Sequence, residues 1–215
     1  MKQILFLLLF AHQVIAQSTI LKYDFDRDGK KDKFFVLQTN QGRRLCYQLS
    51  TQRNKTVSSF LFTECNSTFL ELKNKQVVVT NDGMRFFYYY TFMYDSQLKE
   101  FKLIRADAER FGNCVHDASG ESGYNLQTGI YTANWNHYDD AKERLTHLPT
   151  IKKRKPVKLW LLKDYGNDML WELAQVDIET QPSCLRSGYS REIGDLNFGH
   201  YYPEQKWVFE KYGKK

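Results

Sequence analysis

The sequence predicts an antiparallel all-β domain: a sandwich, a barrel, or a propeller-like set of small sheets with short helices at most. Three observations carry this. Short runs of β-branched and aromatic residues recur along the chain, turn residues separate them, and helical period is nearly absent. Residues 20–23 and 33–37 read as strands flanking an acidic loop. Residues 43–50, 57–63 and 76–80 follow, with Asn81-Asp82-Gly83 as a turn. Residues 85–94 run into Asp95-Ser96-Gln97, and 100–105 return to complete a hairpin. A second hairpin starts near Tyr124, turns at Thr128-Gly129 and continues over 130–135. Residues 157–162 read as a further strand, with 171–178 and 206–209 as weaker ones. The spacing predicts one short helix, over 139–145.

The acidic loop is the most specific feature. Asp24-Phe25-Asp26-Arg27-Asp28-Gly29-Lys30-Lys31-Asp32 is a DxDxDGxxD run whose four carboxylates repel one another unless a cation joins them. Calcium is hard, takes six to eight oxygens and tolerates irregular geometry. Asp24, Asp26 and Asp28 are expected to converge on it. Gly29 supplies the bend, the Lys30 carbonyl adds an oxygen, and Asp32 completes the set directly or through water. No His or Cys stands in the loop to suggest zinc, and magnesium prefers fewer carboxylates. An ion saturated by carboxylates is structural rather than catalytic. The plainer alternative is a solvated acidic turn balanced by Lys30, Lys31 and Lys33.

An EF-hand needs Glu at loop position twelve and helical flanks; here that position is Phe35, between strand-like flanks. The loop therefore resembles the calcium loops of FG-GAP and VCBS repeats, and is close to a dockerin loop without its helix. The order of Asp24–Asp32, then Ser122-Gly123-Tyr124-Asn125-Leu126-Gln127-Thr128-Gly129, then Leu159-Trp160-Leu161-Leu162 is also similar to small exported proteins of Gram-negative bacteria. That resemblance implies a periplasmic or secreted protein, and some of that group are inhibitors or immunity proteins against cell-wall hydrolases.

Residues 1–16 read as a secretory signal: Lys2 ahead of an apolar run over 4–10, then Val14-Ile15-Ala16 with cleavage before Gln17. The run falls short of the ~20 residues a membrane helix needs. Residues 17–215 are expected to form one domain, since no Pro- or Gly-rich linker divides them. Cys46, Cys65, Cys114 and Cys184 suggest two disulfides in an oxidising compartment, with Cys46–Cys65 and Cys114–Cys184 as the preferred pairing. The formal charge of +6, or +5 once Lys2 leaves with the signal, favours acidic partners such as anionic wall polymers. Lys152-Lys153-Arg154-Lys155 reads as a solvated basic loop, and nucleic acid is not an expected partner. Asn54-Lys55-Thr56 and Asn66-Ser67-Thr68 are glycosylation sequons, of consequence only in a eukaryotic host.

Catalysis finds little support. Gly120-Glu121-Ser122-Gly123 breaks the nucleophile-elbow spacing. Glu109, Glu121, Asp139, Asp140, Glu143, His116-Asp117, His137 and His200 supply acids and bases that nothing in the sequence pairs. The aromatic run over 86–94 reads as a strand buried on both faces, or as a binding platform. Trp135, Trp160, Trp171 and Trp207 read as core. The expectation is an exported, calcium-stabilised binding protein that is not an enzyme. Its partner is an envelope hydrolase or toxin; a carbohydrate or cell-wall module and a secreted hydrolase are the alternatives. A groove uniting two or more of Glu109, Glu121, Asp139, Asp140, His116 and His137 would favour the hydrolase.

Overall fold

The computed structural model describes residues 20–63, 65–112, 115–139 and 142–181, and these form two antiparallel sheets with no closed barrel among them. The first sheet holds β1 (Ile20–Tyr23), β2 (Asp32–Thr39), β3 (Gly42–Gln48) and β4 (Thr56–Ser58) in sequential order. The second holds β5 (Ser67–Lys73), β6 (Gln76–Asp82), β7 (Phe86–Asp95), β8 (Glu100–Phe111), β9 (Ser119–Asn125) and β10 (Ile130–Asp139), again as successive neighbours. The outer edge of β10 is shared. β11 (Arg144–His147) pairs with its far half and β12 (Ile151–Arg154) with its near half. The all-β expectation holds, in the form of a sandwich.

Alternation along the strands buries one side of each sheet. In β2, Phe34 and Val36 turn inward; in β6, Val77 and Val79 do. Phe101 of β8 joins the layers, its ring lying 5.1 Å from Phe25, 5.2 Å from Phe34 and 5.0 Å from Tyr47. A helix, α1 (Asn167–Ile178), lays Met169, Leu170 and Leu173 into the same core. Tyr165, just before it, packs edge-on against Phe62 and Tyr90 and accepts a hydrogen bond from Asn81 Nδ2 at 2.8 Å.

Several expectations change. Residues 171–178 are helix, not strand, because their apolar positions belong to a helical spacing that starts earlier, at Met169 and Leu170. The helix expected over 139–145 is instead the turn between β10 and β11, with residues 140–141 outside the described part. Residues 157–162 give only a bridge from Leu161 to Lys102 before a 3-10 turn over Leu162–Asp164. Asn81 and Asp82 finish β6 rather than starting a turn, and β5, β11 and β12 stand where no strand was expected. The run over 86–94 is an interior strand. Tyr88, Tyr90 and Phe92 face the core, while Phe87 and Tyr89 lie half-buried on the opposite, open face.

The Cys46–Cys65 disulfide is not formed; both thiols are free. The Arg43 guanidinium reaches Cys65, donating to its carbonyl at 2.8 Å and contacting Sγ at 3.2 Å. Cys46 is three positions further along β3, so alternation sends it to the other side of the strand. Cys114, Cys184, His200, Trp207, residues 206–209 and the signal segment 1–16 lie outside the described residues.

One irregularity decides which side chains face outward. Thr91 of β7 pairs with Arg105, but its neighbour Phe92 pairs with Leu103, leaving Ile104 as an extra residue in β8. Such a bulge resets the alternation. Phe101 and Leu103 point to the core before it, and Ala106 and Ala108 point there after it. Arg105, Asp107 and Glu109 are thereby delivered to the open face.

Candidate functional site

The acidic loop joins β1 to β2, as its strand-like flanks predict. Arg27 (φ +62°) and Gly29 (φ +86°) take left-handed conformations that wrap the chain inward. Asp24 accepts from the backbone N–H groups of Asp28 and Gly29, both at 3.0 Å. Oxygens of Asp24, Asp26 and Asp28 lie within 4.8 Å of one another. The Ser50 and Thr51 hydroxyls donate to Asp28 and Asp26 from a 3-10 turn over Ser50–Gln52. The Ser50 hydroxyl, then the Lys30 N–H, holds the Asp28 carboxyl below its ordinary range. Hard oxygen donors on a folded loop fit a divalent cation such as calcium.

Asp32 does not join the three. It is fully buried, accepting from Phe25 N–H at 2.9 Å and Ser50 N–H at 2.8 Å. Burial raises its pKa, and those hydrogen bonds oppose the rise. Its work is to tie the loop to the 3-10 turn. The Lys30 N–H donates to Asp28 at 2.8 Å. Ser50 and Thr51 escaped sequence reasoning because they lie 22 and 25 residues along the chain from the carboxylates they reach.

A second feature is a groove of about 350 Å³ on the open face of the larger sheet, crossing β7 to β10. Tyr89, Arg105, Asp107, Glu109, Glu121, Thr132 and Asn134 line it. Arg105 Nε donates to both Asp107 oxygens, at 2.8 and 2.6 Å, which raises the guanidinium pKa. Gly123 makes room for this pair: a Cβ there would stand 2.6 Å from Asp107 Oδ1 and 2.9 Å from an Arg105 nitrogen. Glu109 and Glu121 are directly opposed across β8 and β9. Glu109 accepts from the Tyr89 hydroxyl at 3.3 Å, and Glu121 from Asn134 Nδ2 at 3.3 Å. Thr150 donates to Asn134 Oδ1 at 2.7 Å and sets that amide's orientation. Burial, then the Glu109 charge, raises the Tyr89 pKa.

The remaining candidates are dispersed. Asp139 pairs with Lys142 at 2.9 Å. His137 Nδ1 lies 3.2 Å from Asp117 Oδ1, which also accepts from Tyr138 N–H at 2.7 Å. His116 Nδ1 contacts the Phe111 carbonyl at 3.2 Å, and Glu143 sits in an exposed turn. Asp140 is outside the described residues. Ser122 is no elbow: it lies within β9, facing inward, and donates to the buried Asp177 at 2.5 Å. Among the described residues, Glu109 and Glu121 are the only acids or bases named from the sequence that meet in the groove. Asp107 was missed because the predicted strand stops at 105, whereas β8 continues to Phe111; Arg105 and Asn134 lie within predicted strands, and only register and the bulge place them on the groove face.

No helix among the described residues is long and apolar enough to cross a membrane. No protein-family model matches the chain, and neither curated proteins nor solved structures give a match.

Proposed function

We propose that this chain is an exported binding protein of the periplasm or cell exterior, braced by calcium at Asp24, Asp26 and Asp28, whose ligand is a glycan. The observation that carries the reading is the groove on the open sheet face. Its lining of carboxylates, an amide, a phenol and a threonine hydroxyl suits a hydroxyl-rich ligand better than an apolar protein anchor. Phe87 and Phe111, with ring centroids 5.7 Å apart, stand beside Glu109 on the same face and offer flat area to a sugar ring. The calcium loop contributes rigidity from the other sheet and touches no ligand.

Sedimentation with purified peptidoglycan tests this reading. Wild type is expected in the pellet, and Asn134→Ala and Tyr89→Ala in the supernatant. Wild-type protein that stays in solution removes the glycan reading and returns weight to an envelope hydrolase or toxin as the partner. The opposed carboxylates favour one second reading, hydrolysis of the bound glycan, since paired acids are what glycosidic cleavage requires. Release of reducing ends by wild type, but not by Glu109→Gln or Glu121→Gln, would identify it.

A further inference from the structure

Glu109 and Glu121 form a like-charge pair at facing positions of adjacent strands, which places their Cβ atoms roughly 5 Å apart. Such pairs destabilise a sheet unless something neutralises them. Neither glutamate makes an ion pair among the described residues; each accepts only one long hydrogen bond from a neutral donor. The two arginines of β8 are committed elsewhere, while the exposed Lys152 and Arg154 stand on β12 beyond β10, opposite Thr132 and Ile130 and two strands from Glu121. Arg105 is closed onto Asp107. Arg110 lies over the Phe86 and Tyr88 rings, pointing away from the groove. Counting Arg105, Asp107, Glu109 and Glu121, the groove carries a formal charge of −2 on a chain of +6. That local sign opposes the whole chain's preference for acidic partners.

We infer that the ligand is an amine-bearing saccharide whose ammonium sits between Glu109 and Glu121, with Tyr89 and Phe87 flanking it. An ammonium has three donors and a positive charge, matching two acceptor-only carboxylates. The adjoining aromatic faces add cation–π attraction. Asn134 and Thr132 remain for the sugar hydroxyls. This inference rests on the glycan reading and narrows it to a deacetylated amino sugar, because acetylation removes the charge.

Calorimetric titration of the full chain with a glucosamine oligomer, the matching N-acetylglucosamine oligomer and spermidine tests it. The glucosamine oligomer is expected to bind, the acetylated one at least ~10-fold more weakly, and Glu109→Gln or Glu121→Gln to weaken the first by roughly tenfold. A melting curve for each variant that is no lower than wild type shows that lost binding is not lost folding. Equal binding of both oligomers, unaffected by either substitution, overturns the ammonium site while leaving the glycan reading intact. Spermidine binding as tightly as the glucosamine oligomer overturns the saccharide. If neither oligomer binds, the ammonium site is overturned, and peptidoglycan sedimentation decides whether the glycan reading falls with it.

Discussion

At the scale of single residues, the informative groups are carboxylates in unequal surroundings. Glu121 is held in an unfavourable like-charge pair, so Glu121→Gln should raise stability by about 0.2–1 kcal/mol, read as a higher urea midpoint. A residue kept at a cost to stability is the pattern expected of a binding group. Asp177 is the inverse case. It is buried on the inner face of α1 and accepts from Ser122 and, at 3.0 Å, from Tyr131, while Thr180 bridges Tyr131 to Trp135 Nε1. Burial raises its pKa above the ordinary value of about 3.9, against the opposing pull of Ser122 and Arg110. The native state therefore holds this proton more tightly than the unfolded chain. Its contribution is fully present below the ordinary value and declines as pH rises through the raised one. Subtracting the urea midpoints of Asp177→Asn from those of wild type across pH should reveal that decline, and a flat difference would refute it. Sequence named Glu121 as a candidate acid but not its pairing, which comes through strand register, and it did not mark Asp177, whose burial comes through helix docking.

At the scale of elements, the β1–β2 hairpin was the most legible part, because its carboxylates and glycine lie within nine consecutive residues. Asp24→Ala and Asp28→Ala should lower the melting temperature in calcium but change little in EDTA. For an ion bound at ~10⁻⁴ M and supplied at 10 mM, calcium itself should raise the wild-type value by roughly 5–10 °C. Identical wild-type curves with and without calcium would remove the ion. Asp32→Ala is distinct: it strands the buried Phe25 N–H and the half-buried Ser50 N–H, and should cost about 1–3 kcal/mol in either buffer. A loss confined to the calcium buffer would restore Asp32 to the ligand set. Helix α1 was misread because eight residues taken from Trp171 alternate well enough for a strand, while its anchors begin at Met169. Leu173→Ala should cost about 2–5 kcal/mol by emptying its place in the core, measured by equilibrium unfolding.

At the scale of the whole molecule, local runs predicted antiparallel strands, but not their arrangement in two layers, where each strand stops or which side meets water. Free thiols at Cys46 and Cys65 make a check on the packing that no short segment encodes. The buried Cys46 thiol, its pKa raised by burial, should resist a thiol reagent until the protein unfolds, whereas half-buried Cys65 should react in the native state. The groove depends on sequence of another kind. Ile104 is one residue of surplus length, absorbed where β8 steps past β7. Excising it would leave Leu103–Phe92 and Arg105–Thr91 as consecutive pairs, with Glu109 still turned outward and Ala108 still turned inward. Loss of a single codon between Ala106 and Ala108 has the opposite result, since it would carry Glu109 toward the aromatic interior. The gene thus tolerates a three-nucleotide deletion at one position of this strand and forfeits its ligand through the same deletion a few codons later.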